Sequence, residues 1–490
     1  MRELIFPVRH DGEVGLQAQL RAHLVDAILD GRLQADSPLP SCRRLAHALG
    51  VSRNTVVLAY QALADESFLI SRERVGYFVN TDMLEDRAQP EPQAPVQNEP
   101  GKLTDWRQRL QLHPSDQPQL SKPKNWHQYP YPFIYGQADP DSFPIATWRQ
   151  CSRQALGVAA INRWTEDSID EDDPLLIEEV RTRVLPRRGV RAEPDEILIT
   201  MGAQNALYLI ARLLAGPGST VGVEDPGYVD ARNIFALTGA RVRPMPVDHG
   251  GMVMDKAVRR CNCVYVTPSH QSPTTVTMPM ERRVELLELA ARHNISVIED
   301  DYEAEANFVS SPTPALKSMD RDRTVVYVGS FSKSLAPGLR IGYLVASASF
   351  IAEARMLRRL LLRHPPSNNQ RTVALFISGG YYDALINRLQ RTYRGRWEAM
   401  REALNTHLPD STRVPSFGGT SFWVRGPENL DAHELAAAAL RQGIVLEPGA
   451  LFFHAAKRPK NYFRLGFSSI HTDKIPGGIK EIANLIQKIT

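Results

Sequence analysis

The chain has 490 residues, 43% of them hydrophobic and 23% charged, with a formal net charge of +3. That is more chain than one hydrophobic core organises, so two or three globular domains are expected, and the small net charge implies nothing about partners. Four scattered cysteines exclude a disulfide framework, Cys261 and Cys263 lack the spacing of a zinc site, and the charged first ten residues hold neither a signal-peptide core nor a membrane span, which points to the cytoplasm.

In chain order, Leu16, Leu20, Leu24 and Ala27 recur on one face of a first amphipathic helix. After Pro40, Ser41 is a fitting N-cap for a short helix through Leu49, and Gly50 supplies its C-terminal turn. Val51 fills the turn and Ser52 caps a third helix, in which Val56, Ala59, Tyr60 and Leu63 repeat with helical spacing. Its polar first turn, Ser52, Arg53, Asn54 and Thr55, is left to face outward. Two short strands at 68–70 and 77–79 read as a hairpin wing with Arg72 and Arg74 at its tip.

Between Ser41 and Ala64 the charged residues are Arg43, Arg44 and Arg53, with no acid among them. A second helix presenting arginine, asparagine and threonine in its first turn is what reads base edges in the major groove of double-stranded DNA. Ser41 and Ser52, at helix N-termini, are placed to meet phosphates. A three-helix packing domain that touches no DNA is the plainer alternative. The basic wing and the acid-free stretch argue against it.

Residues 81–125 are rich in proline, glutamine and acids with no sustained apolar period, the composition of a solvated linker between a domain at 1–80 and another at 126–490. Beyond it, apolar runs at 196–200, 220–224, 263–267, 296–300 and 324–329 alternate with helical stretches. That is the signature of an α/β domain with a mostly parallel sheet covered on both faces. A large part is expected at about 130–390 and a smaller α+β part at about 391–490.

Four chemical requirements of a pyridoxal phosphate site occur in order in this region. Ala203 and Gln204 open a helix after a strand, so their amides can hold phosphate. Tyr228 can stack on the cofactor ring. Asp300, ending an apolar strand, can pair with the pyridine nitrogen, and Tyr302 can bond the ring oxygen. Lys333 offers the amine for a Schiff base, with Ser330 and Arg340 completing the phosphate cup.

The run Leu39-Pro40-Ser41 through Leu49-Gly50-Val51-Ser52-Arg53 to Tyr60 resembles the winged helix-turn-helix of the GntR superfamily. It departs at Asp36-Ser37, where Pro-Gly is usual, and at Glu66-Ser67, where Glu-Gly is usual. The segments Gly202-Ala203-Gln204, Asp225-Pro226-Gly227-Tyr228, Ser269-His270-Gln271, Glu299-Asp300-Asp301-Tyr302 and Ser330-Phe331-Ser332-Lys333 resemble the fold-type I aminotransferases. Together they resemble the MocR subfamily of GntR regulators. The resemblance implies that Lys333 carries the internal aldimine, that Arg464 forks the carboxylate of an effector, and that His270 or Gln271 lies near the ring oxygen. Asp300 is preferred over Asp301 at the pyridine. It also implies a head-to-tail homodimer that binds operator DNA and senses an amino acid or amine by external aldimine formation. A working aminotransferase carrying a DNA-binding domain is the alternative, and a DNA-binding protein on a cofactor-free scaffold is a third reading. Two further departures bear on the pocket: Pro273-Thr274-Thr275 lacks a glycine common in the family, and Asp172 to Arg181 replaces a glycine-containing substrate loop.

Overall fold

The computed structural model describes residues 8–9, 14–82, 104–137, 139–309, 313–412, 418–454 and 458–490. The chain folds as two compact units, Met1–Trp106 and Arg107–Thr490. In the first, α1 (Leu16–Leu29), α2 (Cys42–Leu49) and α3 (Arg53–Asp65) precede a hairpin of β1 (Leu69–Arg72) and β2 (Gly76–Val79). Leu20, Leu24 and Ala27 of α1 pack with Leu45 and with Val56, Ala59, Tyr60 and Leu63 of α3 in a core of their own. The expected caps are in place. Ser41 Oγ accepts from the Arg44 amide, Gly50 ends α2 with φ 64°, and Ser52 Oγ accepts from the Thr55 amide. The two departures in this domain both place an ordinary residue in the left-handed region: Ser67 has φ 62°, and in the earlier turn it is Asp36, with φ 56°, and not Ser37.

The second unit is built on an eight-stranded sheet. Its centre is parallel: Val325–Ser330, Ser296–Asp300, Cys263–Val266, Thr220–Asp225 and Arg241–Asp248 lie side by side. Gly342–Val345 runs antiparallel between Val325–Ser330 and Ile197–Thr200, and Gly251–Met252 closes the other edge. Cys263–Val266 and Val325–Ser330 are buried along their length, as strands covered by helices on both faces must be, whereas Arg241–Asp248 is buried only at Met245. A three-stranded antiparallel sheet, Ser421–Arg425, Tyr462–Gly466 and Glu447–Pro448, forms the smaller part with the helices Ala432–Arg441 and Ile475–Ile489.

Two expected boundaries shift. The helix Tyr381–His407 runs unbroken through the division expected near 391, and its apolar face joins both parts in one core. Of the expected linker, residues 83–103 lie outside the described residues, and 107–125 belong to the second unit. There Gln117 donates to the Asn233 carbonyl (3.3 Å) and Asn233 donates to the Pro118 carbonyl (2.8 Å). A proline-rich segment has no apolar period, yet its free carbonyls and amide side chains can still find partners on a folded surface.

Candidate functional site

On the first unit, Ser41, Arg43, Arg44, Ser52, Arg53 and Asn54 are exposed and Thr55 is half-buried. They occupy the N-terminal turns of α2 and α3, where unpaired amides and the helix dipole favour anions. The wing differs from expectation in one residue. Arg72 lies in β1, is paired with Asp36, and stacks 4.3 Å from the centre of the Phe78 ring. Only Arg74, exposed and held at φ 62°, stands in the turn at the tip.

On the second unit, nine of the ten residues expected to hold the cofactor and effector line one cavity of about 300 Å³: Ala203, Gln204, Tyr228, Asp300, Tyr302, Ser330, Lys333, Arg340 and Arg464. Most of them come from the carboxyl ends of three parallel strands and the start of the helix Gly202–Leu214, the crevice where open α/β sheets bind ligands. Arg340 precedes Gly342–Val345, and Arg464 comes from Tyr462–Gly466 of the smaller sheet. Arg340 donates to the Met201 carbonyl (3.1 Å) beside the start of that helix. Gly202 has φ 75°, and a Cβ there would meet the guanidinium at 3.1 Å. Glycine therefore lets an arginine lie against a helix N-terminus, and the two sources of positive potential add. Gln204 and Tyr228 are tied to Asp230 at 2.7 and 3.2 Å, fixing one wall.

Asp300 and Asp301 point to different places. Asp301 is ion-paired with Arg188 (2.7 Å) and accepts from Tyr327 (2.9 Å) in the interior. Asp300 accepts from Tyr265 (2.7 Å) through Oδ2 and lines the cavity, while its buried Oδ1 has no partner. Burial pushes its pKa up to about 7 against the Tyr265 hydrogen bond. A buried carboxylate oxygen left without a donor is a demand for a cation or an N–H group. Lys333 is half-buried at the cavity, and its pKa is lowered to about 8 chiefly by desolvation, with Lys122 and Arg464 acting in the same sense and Glu303 against it.

His270 is the exception. Its side chain is buried beside Gly419, off the cavity, with both ring nitrogens unpartnered and its pKa lowered by desolvation. Its carbonyl accepts the Tyr302 hydroxyl (2.7 Å). Gln271 is absent from the lining too, because its amide donates to Glu224 (3.2 Å) and to the Pro226 carbonyl (2.8 Å). These bonds close the loop so that Ser272 is the residue presented to the cavity. The segment from Asp172 to Arg181 does not reach this cavity either. Asp172 is buried against Arg358 (2.6 Å) and Arg355 (2.9 Å), and Asp173 caps the helix Pro174–Glu179.

Sequence reasoning missed Lys122, Tyr135 and Gly136, which also line the cavity. Lys333 Nζ sits 4.3 Å from the Tyr135 ring centre, and a Cβ at Gly136 (φ 78°) would fall 2.3 Å from that nitrogen. An aromatic-glycine pair after an apolar run was the available signal for these two. Lys122 carried none. Among the described residues there is no cluster of three or more metal-ligating side chains, and no helix is long and apolar enough to cross a membrane.

The gntR family of bacterial regulatory proteins matches residues 16–79, and aminotransferase class I and II matches 148–482. The regulator TauR of Rhodobacter capsulatus is 45% identical over 97% of both chains. The chain is a MocR-type GntR regulator. The probable rhizopine catabolism regulatory protein MocR of Rhizobium meliloti is 30% identical, covering 96% of this chain and 94% of its own. Among solved structures, LysN of Thermus thermophilus, an α-aminoadipate aminotransferase complexed with N-(5'-phosphopyridoxyl)-L-leucine, superposes with a TM-score of 0.71 at 27% identity. That match covers 79% of this chain and 99% of LysN. Kynurenine aminotransferase of Pyrococcus horikoshii gives 0.69 at 27% identity, covering 84% and 97%. MocR-type regulators thus join a DNA-reading domain to an aminotransferase fold, and this chain has both.

Proposed function

We propose that this chain is a pyridoxal phosphate-dependent transcription regulator that binds operator DNA through α3 and the wing and senses a small amine or amino acid in the Lys333 cavity. The observation that carries the reading is the partnerless Asp300 oxygen, in one cavity with a half-buried lysine and with an arginine laid against a helix N-terminus. Those are the three demands of the cofactor: a counterion for its pyridinium, an amine for its aldehyde, and a cup for its phosphate. Bound there, the cofactor supplies an aldehyde that condenses reversibly with amines.

The chain's own residues do the rest. Asp300 holds the proton on the pyridine nitrogen, oriented by Tyr265 behind it. Tyr228, fixed by Asp230, would cover one face of the cofactor ring, and Tyr302, anchored on the His270 carbonyl, would bond its oxygen. Desolvation lowers the Lys333 pKa to about 8, so near that pH about half of the amine is neutral and its lone pair is available. On the other unit Arg53, Asn54 and Thr55 contact base edges, with Ser41, Arg43, Arg44, Ser52 and Arg74 on phosphates. A head-to-tail homodimer would pair two such heads on paired half-sites.

The test is an absorbance titration of purified protein against amino acids and amines, run beside operator gel shifts. A visible band that changes with one amine, and an operator affinity that changes with the same amine, is the expected result. Rapid multiple turnover with a keto-acid acceptor would favour an aminotransferase instead, and absence of the band would favour a cofactor-free scaffold.

A further inference from the structure

The anion site of this cavity already contains an anion. Arg464, wedged between the Tyr135 and Phe452 rings, gives both its Nε (2.7 Å) and a terminal nitrogen (2.6 Å) to a single oxygen of Glu447. The other oxygen of Glu447 faces Lys122 Nζ at 3.2 Å. Lys122 also reaches the Tyr135 carbonyl, so the docked segment that carries it is held at the cavity wall. Arg464 and Glu447 are each almost wholly buried, and Lys122 is about three-quarters so. Two cations thus share one internal carboxylate, and the cluster is one negative charge short. Burial works to raise the Glu447 pKa, but Arg464 and Lys122 together hold it below the usual carboxylate value, so it remains charged.

Resting on the reading of this pocket as an effector site, we propose that Glu447 is an internal competitor that tunes the site to amines bearing one acid group, with Lys122 as its second specificity residue. An uncharged amine leaves the excess cation unpaired. An amine with one carboxylate neutralises it: the ligand takes an edge of Arg464 while Glu447 stays with Lys122. An amine with two carboxylates must bring its second charge against Glu447, and like charges in a desolvated site repel strongly. Lys122 lies outside the stretch that matches the aminotransferase family, so this part of the recognition belongs to the segment leading from the DNA-reading unit.

The experiment titrates the cofactor-loaded protein spectrally with ethylamine, L-alanine and L-aspartate, which carry zero, one and two carboxylates on similar frames. Affinities for the two acids are read as ratios to ethylamine, which cancels effects on the amine chemistry itself. The unmodified protein should prefer L-alanine to both others. In Glu447→Gln the ratio for L-aspartate should rise about tenfold or more, the effect of freeing one charge-assisted hydrogen-bond site. In Lys122→Gln the ratio for L-alanine should fall by about the same factor. A readout without cofactor is the melting temperature in sodium acetate: acetate should raise that of Glu447→Gln, which has two unpaired cations, clearly more than that of the unmodified protein, which has one. Should Glu447→Gln fail to fold, Lys122→Gln alone decides. Ratios unchanged in the folded variants overturn the proposal while leaving the effector reading intact. No spectral response to any of the three, in any form of the protein, overturns both.

Discussion

Single residues decide whether the cavity can work. Gly136 packs its α-carbon against Lys333 in a left-handed conformation, so Gly136→Ala brings a methyl to 2.3 Å from the amine and strains the backbone as well. The expected outcome is loss of the visible band and of retained cofactor after dialysis, with far-ultraviolet circular dichroism unchanged. The left-handed positions where the family favours glycine give a second expectation. Ser67 is exposed with φ 62°, and Ser67→Gly should stabilise the first unit by about 1 kcal/mol in a denaturant melt. Thr275 also has φ 62° but is buried. Thr275→Gly relieves similar strain yet removes a packed methyl group worth about 1 kcal/mol, so its midpoint should barely move. The reactive residues were legible because each chemical role demands a specific side chain after a strand. His270 was misplaced because its side-chain direction depends on how Gln271 cross-links the loop, which spacing does not encode.

At the level of elements, the reading helix separates stability from recognition. Ser52 accepts from the Thr55 amide at 3.1 Å, whereas Arg53 is exposed and makes no cap. Ser52→Ala should therefore lower stability by about 1 kcal/mol. Arg53→Ala should leave the melt unchanged and reduce discrimination at one or two base pairs by about 1–3 kcal/mol, read by footprinting on operator variants. These helices were legible because their caps are short-range chemistry: a serine, a glycine and a serine in fixed spacing. The strand Arg241–Asp248 was not, since Pro244, Pro246 and three charged residues suit a strand near a sheet edge but look like a loop. The docked segment around Lys122 was illegible for the same reason. Its order comes from the surface it lies on and not from any period of its own.

For the whole molecule, buried ionisation sets the pH response before any ligand enters. Asp300, Glu224 and Glu299 all have pKa values raised to about 7, burial being the largest cause in each. Their neutral forms are favoured in the fold, so between about pH 4 and pH 7 the native state binds more protons than the unfolded chain, and stability falls as pH rises. Lys333, lowered to about 8, acts in a later window: from about pH 8 to the ordinary lysine value the unfolded chain binds more protons, and stability rises. In the cofactor-free chain, Asp300→Asn should make the first slope shallower, with Glu224 and Glu299 still contributing, and leave the second. The linkage between ligand and DNA obeys a stricter rule. If an effector alters operator affinity by some factor, operator DNA must alter effector affinity by the same factor, because both measure one coupling free energy. Lys333→Ala removes the amine on which cofactor retention rests and leaves the core of the reading head, which is its own, unaltered. It should bring both factors to one while basal operator affinity stays within about twofold, measured by gel shift with and without amine. A Lys333→Ala protein whose operator affinity still moved with effector would show that the signal does not pass through the coenzyme.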